Sequence, residues 1–534
     1  DWVEIGMILH HYYDGDIEGL NMWNWWSKKD KSGYVNKDDL TKKYYGFKID
    51  ENYKSIGTLV HYALEDDPPE KEEDKELNPI LEEFNKECVY ITDTDAFICY
   101  IDKYDYWDFK KLEKARLYYS NRTYLNSKNE EKPIFNKWLS YHNRREVKKI
   151  EVNPNKDEKF IKEIEKINGK KVNVDCFNDW TGLNINYNDC KDTDIKIADP
   201  VLYHIKEILC DNDEEGYKYV IKWCANMIQN KVKNRVALCF KSKEGSGKSL
   251  FISGYLGEIV GEKYFNSTAD IDNLLGKFNC NFAGKLLINL NEACWGGNTK
   301  DSGKVKEMIT EPRIEVRKKG VDAYTIWDYC NYIYDTNENY FAKISPGSRR
   351  HFCNSCSDKY AGISNTEKKK YFDSISPTKN PEMVLAFARV LYEMDLTDFD
   401  SGEFKITKLQ AEQIELSFNN VGHWWKNILM DSQIDNIEFD SEYHFGDKYI
   451  INEKSQTRGF TKTFIYDDYV KSTKSTYGSA MSSVMFWKEL NKYTTYEAVK
   501  IRNNDKRYRC INFNKPCEMR NEFDKYCNFK NEWE

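Results

Sequence analysis

Long hydrophobic runs are missing from this 534-residue sequence. No stretch approaches the ~18 consecutive apolar residues that a membrane span requires, and no secretory signal pattern opens the chain. Hydrophobic residues make up 40% and charged residues 31% of the sequence, proportions that suit a globular protein with a substantial core. We therefore expect a protein without a membrane span, built from roughly three or four domains.

Paired cysteines are also lacking. The 15 cysteines are scattered singly through apolar segments, which indicates small buried side chains in a reducing, intracellular compartment and not a disulfide framework. The one close pair, Cys353 and Cys356 beside His351, would need further ligands to bind zinc. Because no second CxxC or HxxxH motif supplies them, we disfavour a zinc site.

An excess of positive charge is missing too. The net charge is −8, so the surface as a whole would not attract a polyanion. Binding to nucleic acid would have to come from local basic patches. One basic cluster lies near the end of the chain, at Arg502, Lys506, Arg507 and Arg509.

The domain organisation is predicted from shifts in composition along the chain. A run of acidic residues and lysines with two prolines cannot bury itself and predicts a linker. Because the chain opens with Asp1 and not with Met, we expect an excised piece of a longer polypeptide. The predicted segments are a small helical domain at 1–65, the linker at 66–76, a helical domain at 77–235, an α/β core at 236–400 and a mixed α+β domain at 401–534.

The segment that carries most of the chemistry is an apolar strand at 236–240, a glycine loop, and a helix from about residue 250. Glycines let backbone N–H groups face a phosphate, and the helix N-terminus adds partial positive charge. Lys248 is expected to reach the β- and γ-phosphates of ATP, and the Ser249 hydroxyl to join a Mg²⁺ shell. The pattern predicts a nucleotide-binding P-loop at Gly245, Ser246, Gly247, Lys248 and Ser249.

This loop departs from the full GxxxxGK[ST] pattern, because Ser242 stands where the first glycine is expected. Short GxGK[ST] matches arise by chance, so the flanking strand and helix must support the motif. Both are present, and the short apolar strands that alternate with helices after Val236 are typical of an α/β P-loop core.

A second apolar strand, at 285–290, is followed by Asn291 and Glu292. Since open α/β sheets bind ligands at the carboxyl ends of their strands, Glu292 is predicted to polarise the attacking water. Asn291 occupies a place often held by a metal-binding Asp. We therefore expect Ser249, Asn291 and Glu292 to form the Mg²⁺ shell. Ser249, water and the phosphates would contribute more to Mg²⁺ binding than they do where an Asp occupies the position of Asn291. A buried strand with a polar end is the alternative interpretation.

A third strand, at 330–334, leads to Asn337, whose amide is predicted to hydrogen-bond the γ-phosphate or to position its water. Twelve residues later comes the pair Arg349 and Arg350. An arginine delivered by a neighbouring subunit stabilises charge on a transferred phosphoryl group. We expect one of the pair to be such a finger and favour Arg349, although a paired arginine taken alone is usually a surface ion-pair former.

Between the second and third strands, residues 314–326 alternate polar and apolar side chains on both sides of a Lys-Lys-Gly turn. This period predicts a β-hairpin with a basic tip at Lys318 and Lys319. On a hairpin inside a ring channel these lysines would bind DNA phosphates and shift with each hydrolysis step. On spacing alone, a hairpin with solvated lysines is an equal alternative.

The order of these motifs resembles superfamily 3 helicases, and more closely the poxvirus-type primase-helicases of large DNA viruses and phages. The opening segment is similar to the small domain that follows the primase catalytic domain in that group, through Trp2, Gly6, Trp23, Trp26 and 56–59. The next segment looks like the group's helical domain before the helicase, through Phe135, Trp138, His142, Arg144, Arg145, 177–182 and 223–225. The tail resembles a winged-helix domain more weakly, through Phe464, Tyr466, Tyr469, Phe486 and Arg502.

The resemblance implies a P-loop core of AAA+ type at 236–400, preceded by helical domains and followed by a winged-helix-like domain. It implies a homo-oligomer, expected as a hexameric ring, that hydrolyses ATP with Mg²⁺ at subunit interfaces. It also implies 3′→5′ unwinding of single-stranded or forked DNA at a viral replication site in the host cell. The primase domain of such a protein would lie upstream, outside this chain.

Three alternatives come from other functional classes. A P-loop ATPase acting as a DNA-loading or assembly switch would hydrolyse ATP without separating strands; the basic hairpin and the arginine pair argue against it. Primer synthesis would need paired carboxylates for two metals, and two DxD motifs offer that spacing, at Asp93 and Asp95 and at Asp192 and Asp194. No histidine or basic cluster accompanies either motif. A small-molecule kinase would leave the hairpin and the flanking domains without a role.

Overall fold

The computed structural model of this chain describes most of its residues. No helix among them is long and apolar enough to cross a membrane. The chain divides into two compact units, the first comprising Asp1–Tyr90 and Asp95–Glu146 and the second Ile91–Thr94 and Val147–Glu534. The described residues are 2–28, 36–48, 55–60, 72–101, 106–126, 128–167, 169–270, 274, 276, 279, 281–292, 301–317, 323–362, 365–443, 445–452, 455, 457–476, 479–503 and 506–533.

Three short helices open the first unit around a cluster of aromatic rings. The Trp23 side chain is fully buried, and a Cβ atom on Gly6 would lie 2.3 Å from its ring, so only glycine permits this close approach. The side chains of Asp16 and Asn36 cap the second and third helices. The helices are α1 (Trp2–Tyr12), α2 (Ile17–Ser27) and α3 (Lys37–Tyr45).

The rest of the first unit mixes helices with short strands. Its core contains the buried Trp138, whose indole N–H donates to the Asn85 side chain at 2.8 Å. A helix begins at Glu72, inside the predicted linker 66–76, whose residues 66–71 lie outside the described ones. The elements are α4 (Glu72–Phe84), β1 (Cys88–Ile91), β2 (Ala96–Ile101), β3 (Tyr106–Lys111), α5 (Leu112–Tyr118), β4 (Thr123–Leu125), β5 (Glu131–Pro133), α6 (Ile134–Leu139) and β6 (Glu146–Val147).

The second unit begins with a three-stranded sheet of order β7-β9-β8. It consists of β7 (Lys149–Glu151), β8 (Phe160–Ile167) and β9 (Lys170–Asn178), where β7 runs parallel and β8 antiparallel to β9. Because the boundary between the units falls near residue 147, the segment 77–235, expected as one domain, contributes to both of them.

Helices between residues 187 and 230 cover the sheet that follows them. The longest is capped by the Asp213 side chain and buries Trp223, whose indole N–H donates to the Val236 carbonyl at 2.8 Å. That bond fixes the helix to the start of the next strand. The elements are α7 (Tyr187–Cys190), a 3-10 turn (Ile195–Ala198), α8 (Asp199–Tyr203), a π-helical turn (His204–Leu209) and α9 (Glu214–Asn230).

A five-stranded parallel sheet forms the centre of the second unit, in the order β11-β12-β15-β10-β16. Leu238 and Phe240 pack into one hydrophobic cluster and Cys239 into another. Both faces are therefore covered, as parallel sheets require. The strands are β10 (Ala237–Lys241), β11 (Phe265–Thr268), β12 (Leu287–Asn291), β15 (Asn331–Thr336) and β16 (His351–Ser355).

The remaining elements of this region lie between or after the parallel strands. The predicted hairpin is present as two antiparallel strands, with Val316 opposite Tyr324, and the tip residues Lys318 and Lys319 lie outside the described residues. The elements are a π-helical segment (Leu250–Gly257), α10 (Glu258–Val260), α11 (Asp301–Thr310), β13 (Arg313–Val316), β14 (Tyr324–Trp327), α12 (Thr366–Ser374) and α13 (Pro381–Glu393).

The chain ends in a mixture of helices and antiparallel strands around a separate aromatic-rich cluster. The predicted basic end forms an antiparallel pair of strands in which Arg502 lies opposite Arg507. The elements are α14 (Lys408–Leu416), α15 (Asn420–Asp431), β17 (Gln433–Ile434), β18 (Ile437–Glu438), β19 (Tyr449–Asn452), β20 (Thr457–Thr461), α16 (Lys462–Thr476), α17 (Ser483–Leu490), β21 (Tyr496–Asn503), β22 (Lys506–Phe513) and α18 (Pro516–Cys527).

Candidate functional site

The glycine loop, defined here as residues 242–249, follows the central strand β10 at its carboxyl end. Gly245 and Gly247 have φ angles of +77° and +91°, a region that strongly favours glycine. A Cβ atom on Gly247 would lie 2.7 Å from ring atoms of both His204 and Phe372. The loop conformation thus depends on glycine at both positions, and the chain continues from it into the helical segment that begins near Lys248.

Lys248 is a buried cation at the start of this helical segment. Its ammonium group donates to the Asn337 side-chain oxygen at 3.0 Å and to the Ser242 hydroxyl, and it lies 3.4 Å from a carboxylate oxygen of Asp335. The side chain is only 6% exposed. The loop, the end of β10 and the end of β15 therefore meet at one ammonium group.

Ser242 fits this arrangement through its side chain. Its hydroxyl lies 2.6 Å from the Ser246 hydroxyl and accepts a hydrogen bond from Lys248. The Ser242 backbone N–H donates to the Thr336 carbonyl at 3.1 Å, which extends the pairing of β10 with β15 by one residue. Ser242 is not among the residues with positive φ, so glycine is not needed there.

Asp335 is a member of this site that the sequence did not reveal. Its carboxylate accepts a hydrogen bond from the Ser249 hydroxyl at 3.0 Å, and the side chain is 5% exposed. Only the pairing of β15 with its neighbours brings Asp335 to Ser249, since 86 residues separate the two along the chain. An acidic residue two positions before Asn337 was the one available signal.

Glu292 and Asn337, predicted from two different strands, are in contact. The Asn337 amide donates to a Glu292 carboxylate oxygen at 3.1 Å, and its oxygen accepts from Lys248. Glu292 has a φ angle of +50°, and its backbone N–H donates to the Asp335 carbonyl at 2.6 Å, which holds the turn after β12. Both Asn291 and Glu292 are exposed, and their side chains border the same cleft.

The cleft above the glycine loop has a volume of about 370 Å³. It is also bordered by Lys368 and Phe372 of α12, which lie beside the loop glycines and which the sequence did not single out. The Lys368 ammonium donates to the Gly362 carbonyl at 2.6 Å and would lie 2.6 Å from a Cβ atom on Gly245. This buried lysine adds a second cation beside the loop.

The His204 ring packs against the glycine loop at Gly247. One ring nitrogen lies 2.8 Å from the Tyr371 hydroxyl and the other 3.3 Å from the Gly247 carbonyl. Burial lowers the pKa of His204 to about 4, and the contact with Gly247 opposes that shift. The ring is therefore neutral at physiological pH and acts as packing and as a hydrogen-bond partner.

Side-chain oxygens of the kind that can hold Mg²⁺ lie together beside the glycine loop. The Ser249 hydroxyl and the Asp335 carboxylate are 3.0 Å apart, and the Asn291 and Glu292 side chains lie on the same cleft. Mg²⁺ is commonly bound by one or two protein oxygens together with phosphates and water. Among the described residues, no group of three or more His, Cys, Asp or Glu side chains could hold a metal ion.

Arg349 and Arg350 lie at the opposite edge of the sheet from the glycine loop. His351 pairs with Ala237 at the start of β10, so about 13 Å of strand separates the arginines from the loop. They border a second cleft of about 410 Å³ together with Arg235. Within the described part of the chain, neither Arg349 nor Arg350 forms an ion pair.

Other cations surround this arginine pair. Burial lowers the pKa of Lys306, and the neighbouring Arg350 and Lys343 lower it further. Burial also lowers the pKa of His351 to about 4, assisted by Lys306 and Arg350. An anion at this edge of the sheet would stabilise the charged form of Lys306 against both effects, so the edge is electrostatically suited to receive one.

The base of the β13–β14 hairpin is attached to β7 by a buried ionic network. The Lys149 ammonium donates to the Thr325 carbonyl at 3.2 Å, and the Trp327 backbone N–H donates to the Glu151 carboxylate at 3.0 Å. Lys149 also pairs with Glu151 and Glu165 at 2.6 and 2.5 Å. The network connects the hairpin strands to the preceding three-stranded sheet.

One aspartate of each DxD motif makes a structural contact. Asp95 accepts a hydrogen bond from the Tyr90 hydroxyl at 2.5 Å, and Asp194 caps a 3-10 turn through the Lys196 N–H. Cys353 and Cys356 are buried, and burial raises the pKa of the Cys356 thiol to about 12.

Two family models match parts of this chain. One, described as primase C terminal 2 (PriCT-2), matches residues 1–63, where the three aromatic-rich helices lie. The other, described as a family of unknown function (DUF5906), matches residues 240–350, from the end of β10 to the arginine pair.

A curated relative also matches part of this chain. The DNA primase-polymerase of Nitratiruptor phage NrS-1 is 30% identical over 146 residues, which make up 27% of this chain. The match spans 20% of that protein's length. Together with the PriCT-2 match, this similarity points to a viral primase-type protein.

Two apo structures of the NrS-1 C-terminal region have a similar fold. One has a TM-score of 0.56 at 16% identity and covers 83% of this chain and 100% of its own. A second has a TM-score of 0.55 at 17% identity and covers 80% of this chain and 96% of its own. At such low identity the likeness establishes a shared fold and no shared activity.

Proposed function

We propose that this chain is an ATP-dependent DNA helicase of the superfamily 3 type and the helicase portion of a viral primase-helicase. The observation that carries the proposal is the set of contacts among Lys248, Ser249, Asp335, Asn337 and Glu292. It joins a glycine loop to the carboxyl ends of two further parallel strands, where α/β sheets bind ligands. The primase-type relatives supply the link to DNA replication.

In this proposal residues 236–400 form a P-loop core of AAA+ type. The glycine loop follows β10, the fourth strand in the order of the five-stranded parallel sheet. The adjacent strand β15 supplies polar side chains that face the loop. Backbone N–H groups of the loop and the start of the helix bind phosphate oxygens. Lys248 and the second cation Lys368 would neutralise the phosphate charge of ATP bound in the cleft that both side chains border.

Hydrolysis would then use a water molecule positioned between two strands. Glu292 accepts the proton of the attacking water, and Asn337 holds the Glu292 carboxylate in place through its amide. The Asn337 oxygen binds Lys248, so phosphate binding and water positioning are coupled through one side chain. Ser249 would help to hold a Mg²⁺ ion, which would supply positive charge against the phosphates.

The arginine pair supports a multi-subunit enzyme. Arg349 and Arg350 are exposed or half-buried at the far edge of the sheet and do not reach the glycine loop of their own chain. An arginine at that edge can complete the site of a neighbouring copy. A heterologous interface that joins one edge to the other closes into a ring if its rotation permits, which agrees with the expected hexamer.

DNA binding in this proposal involves the hairpin between β13 and β14. Its base is fixed to β7 by the buried contacts of Lys149 and Glu151, so a movement of the three-stranded sheet would be transmitted to the hairpin strands. Lys318 and Lys319 at the tip would bind phosphates of the DNA strand.

ATP hydrolysis measured with and without single-stranded DNA tests this proposal. We expect DNA-stimulated hydrolysis in the wild-type chain and a loss of at least about 100-fold in Lys248→Ala, because a preorganised cation is removed from the phosphate site. Lys162→Ala is the matched control, because Lys162 is an exposed lysine on β8. Equal hydrolysis in wild type and Lys248→Ala would contradict the proposal.

A further inference from the structure

The neighbouring strand carries a carboxylate beside Asn291, the residue that stands where a metal-binding Asp is common. Asn291 ends β12 where a metal-binding Asp is common, and Asp335 lies directly beside it on β15 in the sheet register. Register partners on adjacent parallel strands are about 4.8 Å apart and project to the same face. The amide and the carboxylate are therefore exchanged between two adjacent positions of one sheet edge.

The contacts of Asp335 are those of a metal-shell carboxylate. In nucleotide-hydrolysing P-loop proteins the loop Ser or Thr and an acidic strand residue together hold Mg²⁺. Here the Ser249 hydroxyl donates to Asp335 Oδ2 at 3.0 Å, whereas Asn291 is exposed and makes no side-chain hydrogen bond among the described residues. Asp335 Oδ1 also forms an ion pair with the Lys248 ammonium at 3.4 Å, so both carboxylate oxygens lie beside the glycine loop.

The strand order explains why this exchange is possible. β15 lies between β12 and β10 in the sheet, so a side chain on β15 is closer to the glycine loop after β10 than one on β12. Asp335 pairs in register with Phe240 on one side and with Asn291 on the other. A carboxylate on the middle strand reaches Ser249 directly.

We propose that Asp335, and not Asn291, supplies the protein carboxylate of the Mg²⁺ shell, acting with the Ser249 hydroxyl. This assignment rests on the proposed function, because it presupposes that a nucleotide binds at the glycine loop. Asn291 then lies at the rim of the cleft. Glu292 remains the proton acceptor and stays outside the metal shell.

Charge neutralisation alone is the competing role for Asp335. A carboxylate that only compensates Lys248 would affect nucleotide binding equally with and without Mg²⁺, because its effect acts through the lysine. A carboxylate of the metal shell affects only the increment in affinity that Mg²⁺ adds. The two roles therefore differ in a binding measurement that needs no catalysis.

The test is the affinity for a fluorescent ADP analogue, titrated at fixed protein with Mg²⁺ and again with EDTA. We expect Mg²⁺ to strengthen binding to the wild type. In Asp335→Asn the concentration of Mg²⁺ needed for that strengthening should rise by about 10- to 100-fold, as when a partner of a metal ligand is removed. Binding in EDTA should be retained. Asp175→Asn is the matched control, because Asp175 is an exposed carboxylate on β9.

A double variant keeps the test decisive if Asp335→Asn folds poorly. Asn291→Asp/Asp335→Asn returns the carboxylate to β12, and we expect it to recover part of the Mg²⁺ increment. Asn291→Ala alone should keep the wild-type increment. A wild-type Mg²⁺ dependence in Asp335→Asn, or its loss in Asn291→Ala, would overturn the assignment while leaving the proposed function intact. A wild-type chain that binds no ADP under either condition would overturn both.

Discussion

Ser242 shows how a single residue adapts the glycine loop. The residue occupies the place of a glycine in the common pattern, yet its φ angle is not in the left-handed region. Its hydroxyl contacts Ser246 and Lys248 within the loop and is shielded from solvent. A serine at this position adds hydrogen bonds to the loop without a steric cost, which accounts for the departure from the usual sequence pattern.

His351 is a residue whose burial has a measurable consequence. Its pKa falls from 6.5 to about 4 on folding, because the ring is buried beside Lys306 and Arg350. Between these pH values the unfolded chain binds a proton that the folded chain does not. The free energy of unfolding should therefore fall as the pH drops from 6.5 towards 4, by roughly 3 kcal/mol for this residue.

The variant His351→Leu tests that effect through urea unfolding at several pH values. The variant should lose this part of the acid sensitivity. Near neutral pH it should be at least as stable as the wild type, because neither ring nitrogen of His351 has a hydrogen-bond partner among the described residues. An unchanged dependence on pH in the variant would show that His351 is protonated in the folded protein.

At the scale of elements, the β13–β14 hairpin is the part most directly linked to DNA in the proposal. We expect Lys318→Ala/Lys319→Ala to abolish DNA-stimulated hydrolysis and unwinding while basal ATP hydrolysis is retained, because the change removes two phosphate contacts and leaves the loop untouched. The comparison is made by ATPase and DNA-binding assays at several salt concentrations. The slope of affinity against salt should decrease in the variant.

The antiparallel strands β8 and β9 of the second unit provide a matched control for the β13–β14 hairpin. Lys170→Ala/Lys171→Ala removes two exposed lysines from the start of β9 and should leave the hydrolysis rate and salt slope unchanged. If both double variants behave alike, the hairpin at 313–327 has no special role in DNA binding.

The helices and strands also show which structural features the sequence patterns predict. Apolar runs and period-two alternation locate β10, β12, β15 and the hairpin to within a few residues, because local patterning determines local structure. The role of Asp335 depends on the order of strands across the sheet, which brings together residues 86 positions apart. No local pattern contains that order, so the sequence directed attention to Asn291 instead.

Local composition also fails to predict some boundaries of larger segments. The start of α4 at Glu72 lies inside a charged run that composition marks as a linker, because glutamate and lysine are also good helix formers. The unit boundary near residue 147 follows from long-range packing, which composition does not report. The AAA+ and winged-helix assignments remain predictions.

For the whole molecule, the central sheet of the second unit has two chemically different edges. The carboxyl edge holds the glycine loop and the cleft, whereas the amino edge holds Arg349, Arg350 and a cluster of further cations. In the proposal, neighbouring copies join one edge to the other. The active site would then exist only between subunits, and activity would depend on protein concentration.

Mixing two inactive variants tests this arrangement. Lys248→Ala lacks the phosphate-binding cation and Arg349→Ala lacks the finger, so each should be inactive alone. If the arginine acts on a neighbouring copy, an equal mixture should recover up to about a quarter of wild-type hydrolysis, because random pairing restores one interface in four. Failure of the mixture to recover any activity, with mixed oligomers shown to form, would indicate that both residues act within one chain. The pair with Arg350→Ala decides which arginine is the finger.

The measurement that tests the central claim most directly is unwinding of a fork DNA substrate with ATP, by the wild-type chain and by Lys248→Ala. We predict strand separation by the wild type and none by the variant, with 3′→5′ polarity on substrates that carry a single-stranded tail of one polarity. ATP hydrolysis by the wild type without any strand separation would contradict a helicase and would favour an ATPase that loads or assembles on DNA.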